Sequence, residues 1–133
     1  MTRKEPQATK QEFESKVMRA SRGEVVDLES HGTANILLGD RMMLSFVDMP
    51  ANSYAEPHSH SDIEQVTIIL KGDVDFVLKG KVYSVHEGDI VIFGPDEVHG
   101  GYVGPNGASV LDVFNPPRPD LLAKMRSRKS PNN

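Results

Sequence analysis

The chain has 133 residues, enough for one domain with a core of its own, and 38% of them are hydrophobic. It contains no cysteine, which excludes a disulfide framework and restricts any bound metal to nitrogen and oxygen ligands. The net charge of −4 hides a division: residues 23–117 hold fifteen acidic and four basic side chains, residues 1–22 three acidic and six basic, and residues 118–133 one acidic and five basic. An acidic centre repels nucleic-acid phosphate and the basic ends are short and scattered, so nucleic acid is not an expected partner. No apolar run is long enough to span a membrane, and the polar N-terminus offers no signal-peptide core; both point to a cytoplasmic protein with no membrane partner.

Residues 1–22 form a polar arm, flexible or helical, with Phe13, Val17 and Met18 at loosely helical spacing. The domain proper is expected over residues 23–118. Short strands are predicted at Val25–Glu29 and Asn35–Leu38, separated by Gly32, and a longer one at Arg41–Met49, broken by Pro50-Ala51-Asn52-Ser53. Val66–Leu70 is a β-branched apolar run of the kind covered on both faces. Gly72-Asp73 is read as a turn into Val74–Leu78, and Gly80 as a second turn, into Val82–Val85. Glu87-Gly88-Asp89 leads to Ile90–Phe93, Gly94–Glu97 interrupts again, and Pro105-Asn106-Gly107 is read as a hairpin-type turn before a last strand, Ser109–Phe114. Turn signals recurring at about eight to twelve residues predict an all-β barrel or sandwich. Asp120 is the predicted N-cap of a short helix to Met125, followed by a disordered tail over Ser127–Asn133.

Chemistry concentrates in Pro57-His58-Ser59-His60-Ser61-Asp62-Ile63-Glu64-Gln65, with His99 following later in the chain. In extended backbone His58 and His60 point to one face with Cα atoms roughly 6–7 Å apart, close enough for both rings to reach one metal. Two solvent-facing loop histidines are the plain alternative. Glu64 and Gln65 are adjacent, so in a strand only one of them faces a common site. The apolar run after them does not choose between the two. His31 and His86 fall in turn-like sequence and are expected to be exposed, and Met42, Met43 and Met49 to fill core or rim.

These residues resemble the motifs of the small single-domain cupins. The first cupin motif is His-x-His, four residues, Glu or Gln, six residues, then Gly, matched here by His58, His60, Gln65 and Gly72. The second begins Gly-Asp and places a histidine eleven residues after the glycine, as do Gly88-Asp89 and His99. The proline usual six residues after that glycine is replaced by Gly94, with Pro95 one later, and the asparagine some members carry after the histidine is Val103. The resemblance covers about residues 40–115. It implies a jelly-roll-like cupin barrel (a double-stranded β-helix) with short helical or disordered termini, holding one divalent transition metal. The implied ligands are His58, His60, His99 and an oxygen of Gln65, with Glu64 as the alternative. Three imidazoles and one oxygen suit Zn, Ni, Fe, Mn or Cu without choosing among them. Cupins of this size often form homodimers through their N-terminal strands, here residues 24–38.

A second likeness concerns residues 111–120, which resemble the end of the barrel in the cupins that linearise unsaturated uronates during pectin and alginate breakdown. There an Asp, a Phe two residues later and an Arg six after the Asp line the pocket; Asp112, Phe114 and Arg118 keep that spacing. Alternation places Asp112, Phe114 and Val110 on one face, the expected interior. A carboxylate there needs a partner or a function, and a salt bridge to Arg118 is one candidate. The implied function is a metal-dependent enzyme acting on a small sugar acid or keto compound. Asp112 and Arg118 would be catalytic, and Phe114 and Arg118 would bind substrate. An oxygen-activating cupin and a non-catalytic ligand-binding cupin are the alternatives, since this fold hosts many chemistries.

Overall fold

The computed structural model describes residues 2–128. The chain runs α1 (Lys10–Lys16), β1 (Glu24–Asp27), β2 (Thr33–Leu38), β3 (Met43–Met49), β4 (Tyr54–His58), β5 (Glu64–Leu78), β6 (Lys81–His86), β7 (Ile90–Phe93), β8 (His99–Asn115) and α2 (Pro119–Arg128), with single 3-10 turns at Ala20–Arg22 and Glu29–His31. All strand pairings are antiparallel, in the order β1-β2-β3-β8-β5-β6, with β4 added to β8 and β7 to β5. The path does not return to β1. The jelly-roll-like layers therefore come from one sheet folded over on itself rather than from a ring of hydrogen bonds.

The fold turns on two long strands. The first half of β5 pairs with the second half of β8 and with β7; its second half pairs with the first half of β8 and with β6. Gly72-Asp73 and Pro105-Asn106-Gly107, expected as turns, both lie inside strands. Glycine signals a break in direction, but here the break is a corner that β5 and β8 take together. Gly72 has φ +86°, and a Cβ on it would lie 2.2 Å from the Gly107 carbonyl oxygen. Only a residue without a side chain lets the two backbones cross so closely while the register shifts on either side of Gly72.

Alternation sorts the remaining residues. Val26, Ala34, Ile36, Met43, Val47, Ile69, Val110 and Phe114 on one layer pack with Val74 and Val103 on the other. Val66–Leu70 is not covered on both faces as expected: Thr67 and Ile69 are buried, while Leu70 is exposed. The outward face of this layer is nonetheless apolar. Register aligns Val25, Asn35, Phe46, Leu111, Ile68 and Ile90 in one row across six strands, and Leu37, Leu44, Val113, Val66 and Ile92 in the next. None of these positions is charged, and Ile90 and Ile92 are 61% and 63% exposed.

The ends differ in smaller ways from expectation. The arm contains α1, held by a capping box in which Thr9 accepts from the Glu12 amide and Glu12 from the Thr9 amide, but α1 buries no residue. Residues 29–31 are a 3-10 turn rather than the end of the first strand. Asp120 is not the N-cap: α2 begins at Pro119, whose fixed φ and missing N–H suit a first helical position, and Asp120 stands in its first turn. The helix runs past Met125 to Arg128, so Ser127 and Arg128 are helical; the rest of the expected tail lies outside the described residues. Among the described residues no helix is long and apolar enough to cross a membrane.

Candidate metal centre and pocket

β4 delivers the first histidine. Its proline and polar residues gave no strand signal, yet Tyr54–His58 pairs with β8, and His58 stands directly opposite His99. The strand ends at His58, so the extended backbone assumed for His-x-His stops there. His60 reaches the same place from the loop, and the His58 and His60 ring centres are 5.1 Å apart. One ring nitrogen from each of His58, His60 and His99 lies within 4.8 Å of the others. A small inward movement of the rings brings them to about 2.0–2.1 Å from a shared ion.

The tautomers follow from the partners. His58 Nδ1 lies 2.7 Å from the Glu56 carbonyl oxygen and His99 Nδ1 lies 2.9 Å from that of Glu97. A carbonyl only accepts, so Nδ1 carries the proton in each ring and Nε2 keeps its lone pair. Phe93 stacks on His99, centroids 4.1 Å apart and planes 17° apart, and fixes that ring from the side. Burial, aided by the positive charge of Arg118, lowers His60 to about 4, and burial likewise holds His99 below the usual histidine range. Rings kept neutral are rings able to ligate.

Burial distinguishes the two candidate oxygen donors. Gln65 is 7% exposed and faces inward, in register with Phe93 and Phe114, whereas Glu64 is exposed on the other face. Gln65 Oε1, His60 Nε2 and His99 Nε2 are all buried without a hydrogen-bond partner. An unsatisfied buried polar atom costs about 1–3 kcal/mol. The two nitrogens belong to the histidine cluster and Gln65 faces the same interior; such donors fit a divalent ion whose identity they leave open.

A cavity of about 1010 Å³ opens onto His58, His60, Asp112 and Arg118. Asp112 does not pair with Arg118. Its Oδ1 accepts from the Thr67 hydroxyl at 2.6 Å and from the Gln65 amide at 3.4 Å. Burial pushes its carboxyl up to about 6, against the opposing pull of Thr67, the Arg118 charge and Gln65. Arg118 instead donates from Nε and Nη2 to the two carboxylate oxygens of Asp120, at 3.0 and 2.5 Å. For Asp120, burial acts upward but is outweighed by Arg118, which holds the carboxyl below its usual range. Phe114, expected to wall the pocket, is fully buried; it supports His60, 6.0 Å between ring centres, and Arg118, whose guanidinium carbon lies 4.9 Å from its ring centre.

His31 is exposed as expected but lines the outer part of the same cavity, and Met49 also lines it. His86 is exposed at the end of β6, 3.5 Å from Asp89. Met43 is in the core and Met42 is exposed. Sequence reasoning missed Thr67 and Phe93. Thr67 is two residues from Gln65 and so shares its face, a signal hidden by its membership of an apolar run.

The family model described as Cupin domain (Cupin_2) matches residues 45–114, more than half of the chain, and the chain belongs to that family. Within it, the chain is a small cupin resembling KdgF: the pectin degradation protein KdgF of Dickeya dadantii (strain 3937) is 26% identical over 87 residues, 65% of this chain and 79% of that protein. Among solved structures, an RmlC-like cupin from Shewanella frigidimarina superposes with a TM-score of 0.71 at 20% identity, covering 80% of this chain and 95% of the other. The structure of KdgF from Halomonas sp. gives 0.69 at 22%, covering 76% and 93%. The polyketide cyclase RemF from Streptomyces resistomycificus gives 0.65 at 24%, covering 78% and 81%. At these identities the structural likenesses establish the fold.

Proposed function

We propose that this cupin is a cytoplasmic, metal-dependent enzyme that linearises a 4,5-unsaturated uronate or a closely similar sugar acid. His58, His60, Gln65 and His99 would hold the ion and Asp112 and Arg118 would act on the substrate. The observation that carries the reading is the meeting, at one cavity, of His58 and His60 of the histidine cluster with an interior carboxylate and a pinned guanidinium. The likeness to a pectin degradation protein supports the substrate class.

A divalent ion held there would supply Lewis acidity toward a ring or carbonyl oxygen. Opening the unsaturated ring and converting the resulting enol to a ketone requires a proton to leave a hydroxyl and another to reach carbon 4. Asp112, raised to about 6, is suited to accept and return one near neutral pH. Arg118 spends Nε and one Nη2 hydrogen on Asp120, so its remaining N–H groups are the ones free to hold the substrate carboxylate. Phe114 keeps that guanidinium in place from below.

The test is decay of the conjugated absorbance of lyase-generated unsaturated monouronate, with metal-loaded protein, against the spontaneous rate. Acceleration that disappears in Asp112→Ala is expected. No acceleration, or the same acceleration in Asp112→Ala, refutes the assignment.

The partner we propose is a second copy, seated on the uncharged outer face rather than on residues 24–38 alone. Leu37 is buried, and the other ten positions of the two rows, each about 4.8 Å by 6.8 Å, give roughly 330 Å². The exposed Val17 and Met18 of the arm extend this toward the about 800 Å² per partner of a stable interface. Light scattering on a sizing column should show a dimer for the natural chain and a folded monomer for Ile90→Asp/Ile92→Asp. A monomeric natural chain, or a variant that stays dimeric, refutes this face.

A further inference from the structure

The Gln65 amide has one polar end against a hydrogen-bonded chain and the other buried without a partner, and simple chemistry fixes which end is which. A carboxylate only accepts, so the 2.6 Å contact between Thr67 Oγ1 and Asp112 Oδ1 uses the single hydroxyl proton of Thr67. Thr67 Oγ1 can then only accept from its other neighbour, the Gln65 amide at 2.9 Å. The end of Gln65 that faces Thr67 is therefore the NH2, which also lies 3.4 Å from Asp112 Oδ1. The carbonyl oxygen is left on the far side, buried and without a hydrogen-bond partner, as are Nε2 of His60 and His99.

We propose that Thr67 is a positioning residue for the metal site: it passes the polarity of the Asp112 carboxylate to the Gln65 amide and so keeps the Gln65 oxygen turned toward the ion. This rests on the reading of His58, His60, Gln65 and His99 as the ligands. Without the relay, a half-turn of the amide would exchange a ligand oxygen for an NH2, which repels a cation. The relay is built into the sheet. Gln65 and Thr67 share a face of β5, and Thr67 stands opposite Asp112 of β8 in register. At 1% exposure, the Thr67 hydroxyl has no solvent competing for its proton. Hydrogen bonding at the amide nitrogen also raises the basicity of the oxygen that ligates.

The experiment is a competition titration of Zn²⁺ against a chromophoric chelator, using the full metal-free chain, with circular dichroism to verify folding. Thr67→Val should weaken binding by about 10–100-fold, the usual loss when a group supporting a ligand is removed, and Thr67→Ser should restore it. In a Gln65→Glu background either oxygen can ligate, so there Thr67→Val should leave affinity nearly unchanged. A Thr67→Val chain that binds as tightly as the natural one, or loses the same factor in both backgrounds, overturns the proposal. Should Thr67→Val not fold, Asp112→Ala decides. It removes the acceptor of the Thr67 proton, freeing the hydroxyl to donate to the Gln65 oxygen, and the same loss is expected; undiminished affinity overturns the relay. A natural chain that binds no Zn²⁺ overturns the ligand set and the relay together, whereas the other failures overturn the relay alone.

Discussion

Gly72 and Gly80 have similar backbones, φ +86° and +73°, but opposite surroundings. An alanine side chain at Gly80 would meet nothing within 4 Å, and the neighbouring Lys79 already holds φ 50° with a side chain. Gly80→Ala should therefore cost only the backbone penalty, about 1–2 kcal/mol. At Gly72 the new Cβ would stand 2.2 Å from the Gly107 carbonyl oxygen and 2.9 Å from the Ala108 Cα. These are backbone atoms of β8 and cannot swing aside, so relief requires β5 and β8 to separate at their shared corner. Overpacking of this kind adds about 1–3 kcal/mol, for a total of about 2–5 kcal/mol in Gly72→Ala. Urea unfolding followed by circular dichroism measures both variants against the natural chain. Because the corner sets Gln65 and Thr67 against Asp112, Zn²⁺ affinity should also fall in Gly72→Ala and hold in Gly80→Ala. Equal destabilisation by the two substitutions would show that the close crossing of β5 and β8 does not constrain the fold.

Zn²⁺ at a hundred times its dissociation constant should raise unfolding free energy by about 2.7 kcal/mol; the gain should vanish with chelator and in His60→Ala, as thermal melting will show. Phe93→Ala removes a fully buried ring that stacks on His99; a loss of about 3–5 kcal/mol is expected in urea titrations, together with weaker metal binding. Arg118→Lys replaces a planar fork by a point charge, so uronate kinetics should show a raised KM with a smaller change in kcat. The Arg118–Asp120 pair has a largely exposed carboxylate, so Asp120→Asn should cost less than about 1 kcal/mol. Its pKa is lowered in the folded chain, so the pair's contribution is complete above the unfolded value of about 3.9 and is lost as pH falls through the lower folded value. The difference between Asp120→Asn and the natural chain should thus stay constant from neutral pH to about pH 5 and shrink only below about pH 4.

Much of the site could be read from the chain because strand periodicity is local. A spacing of two put Asp112 and Phe114 on one face, and the structure places both on the interior side of β8. The same rule would have joined Thr67 to Gln65 had its hydroxyl not been passed over among apolar neighbours. It could not choose between Glu64 and Gln65, because both faces of the run that follows are apolar: one faces the core and the other the uncharged outer surface. Nor could it separate a turn from a corner. Gly72 and Gly107 carry the glycine signal of a reversal, and only the pairing of β5 with β8 shows that the two strands bend together.

Taken alone, the sequence determined an all-β domain, the spacing of His58, His60, Gln65 and His99, and the exclusion of thiolate ligands. These are properties of residue type and of short intervals along one strand. Tertiary structure decided the partners. Asp112 is bound to Thr67 and Gln65 rather than to Arg118, Arg118 is pinned by Asp120, and Phe114 lies beneath the pocket instead of lining it. Those choices depend on the register of β8 against β5 and on the start of α2 at Pro119. Register is set by the whole set of strands packing at once, so no interval within a single strand encodes it.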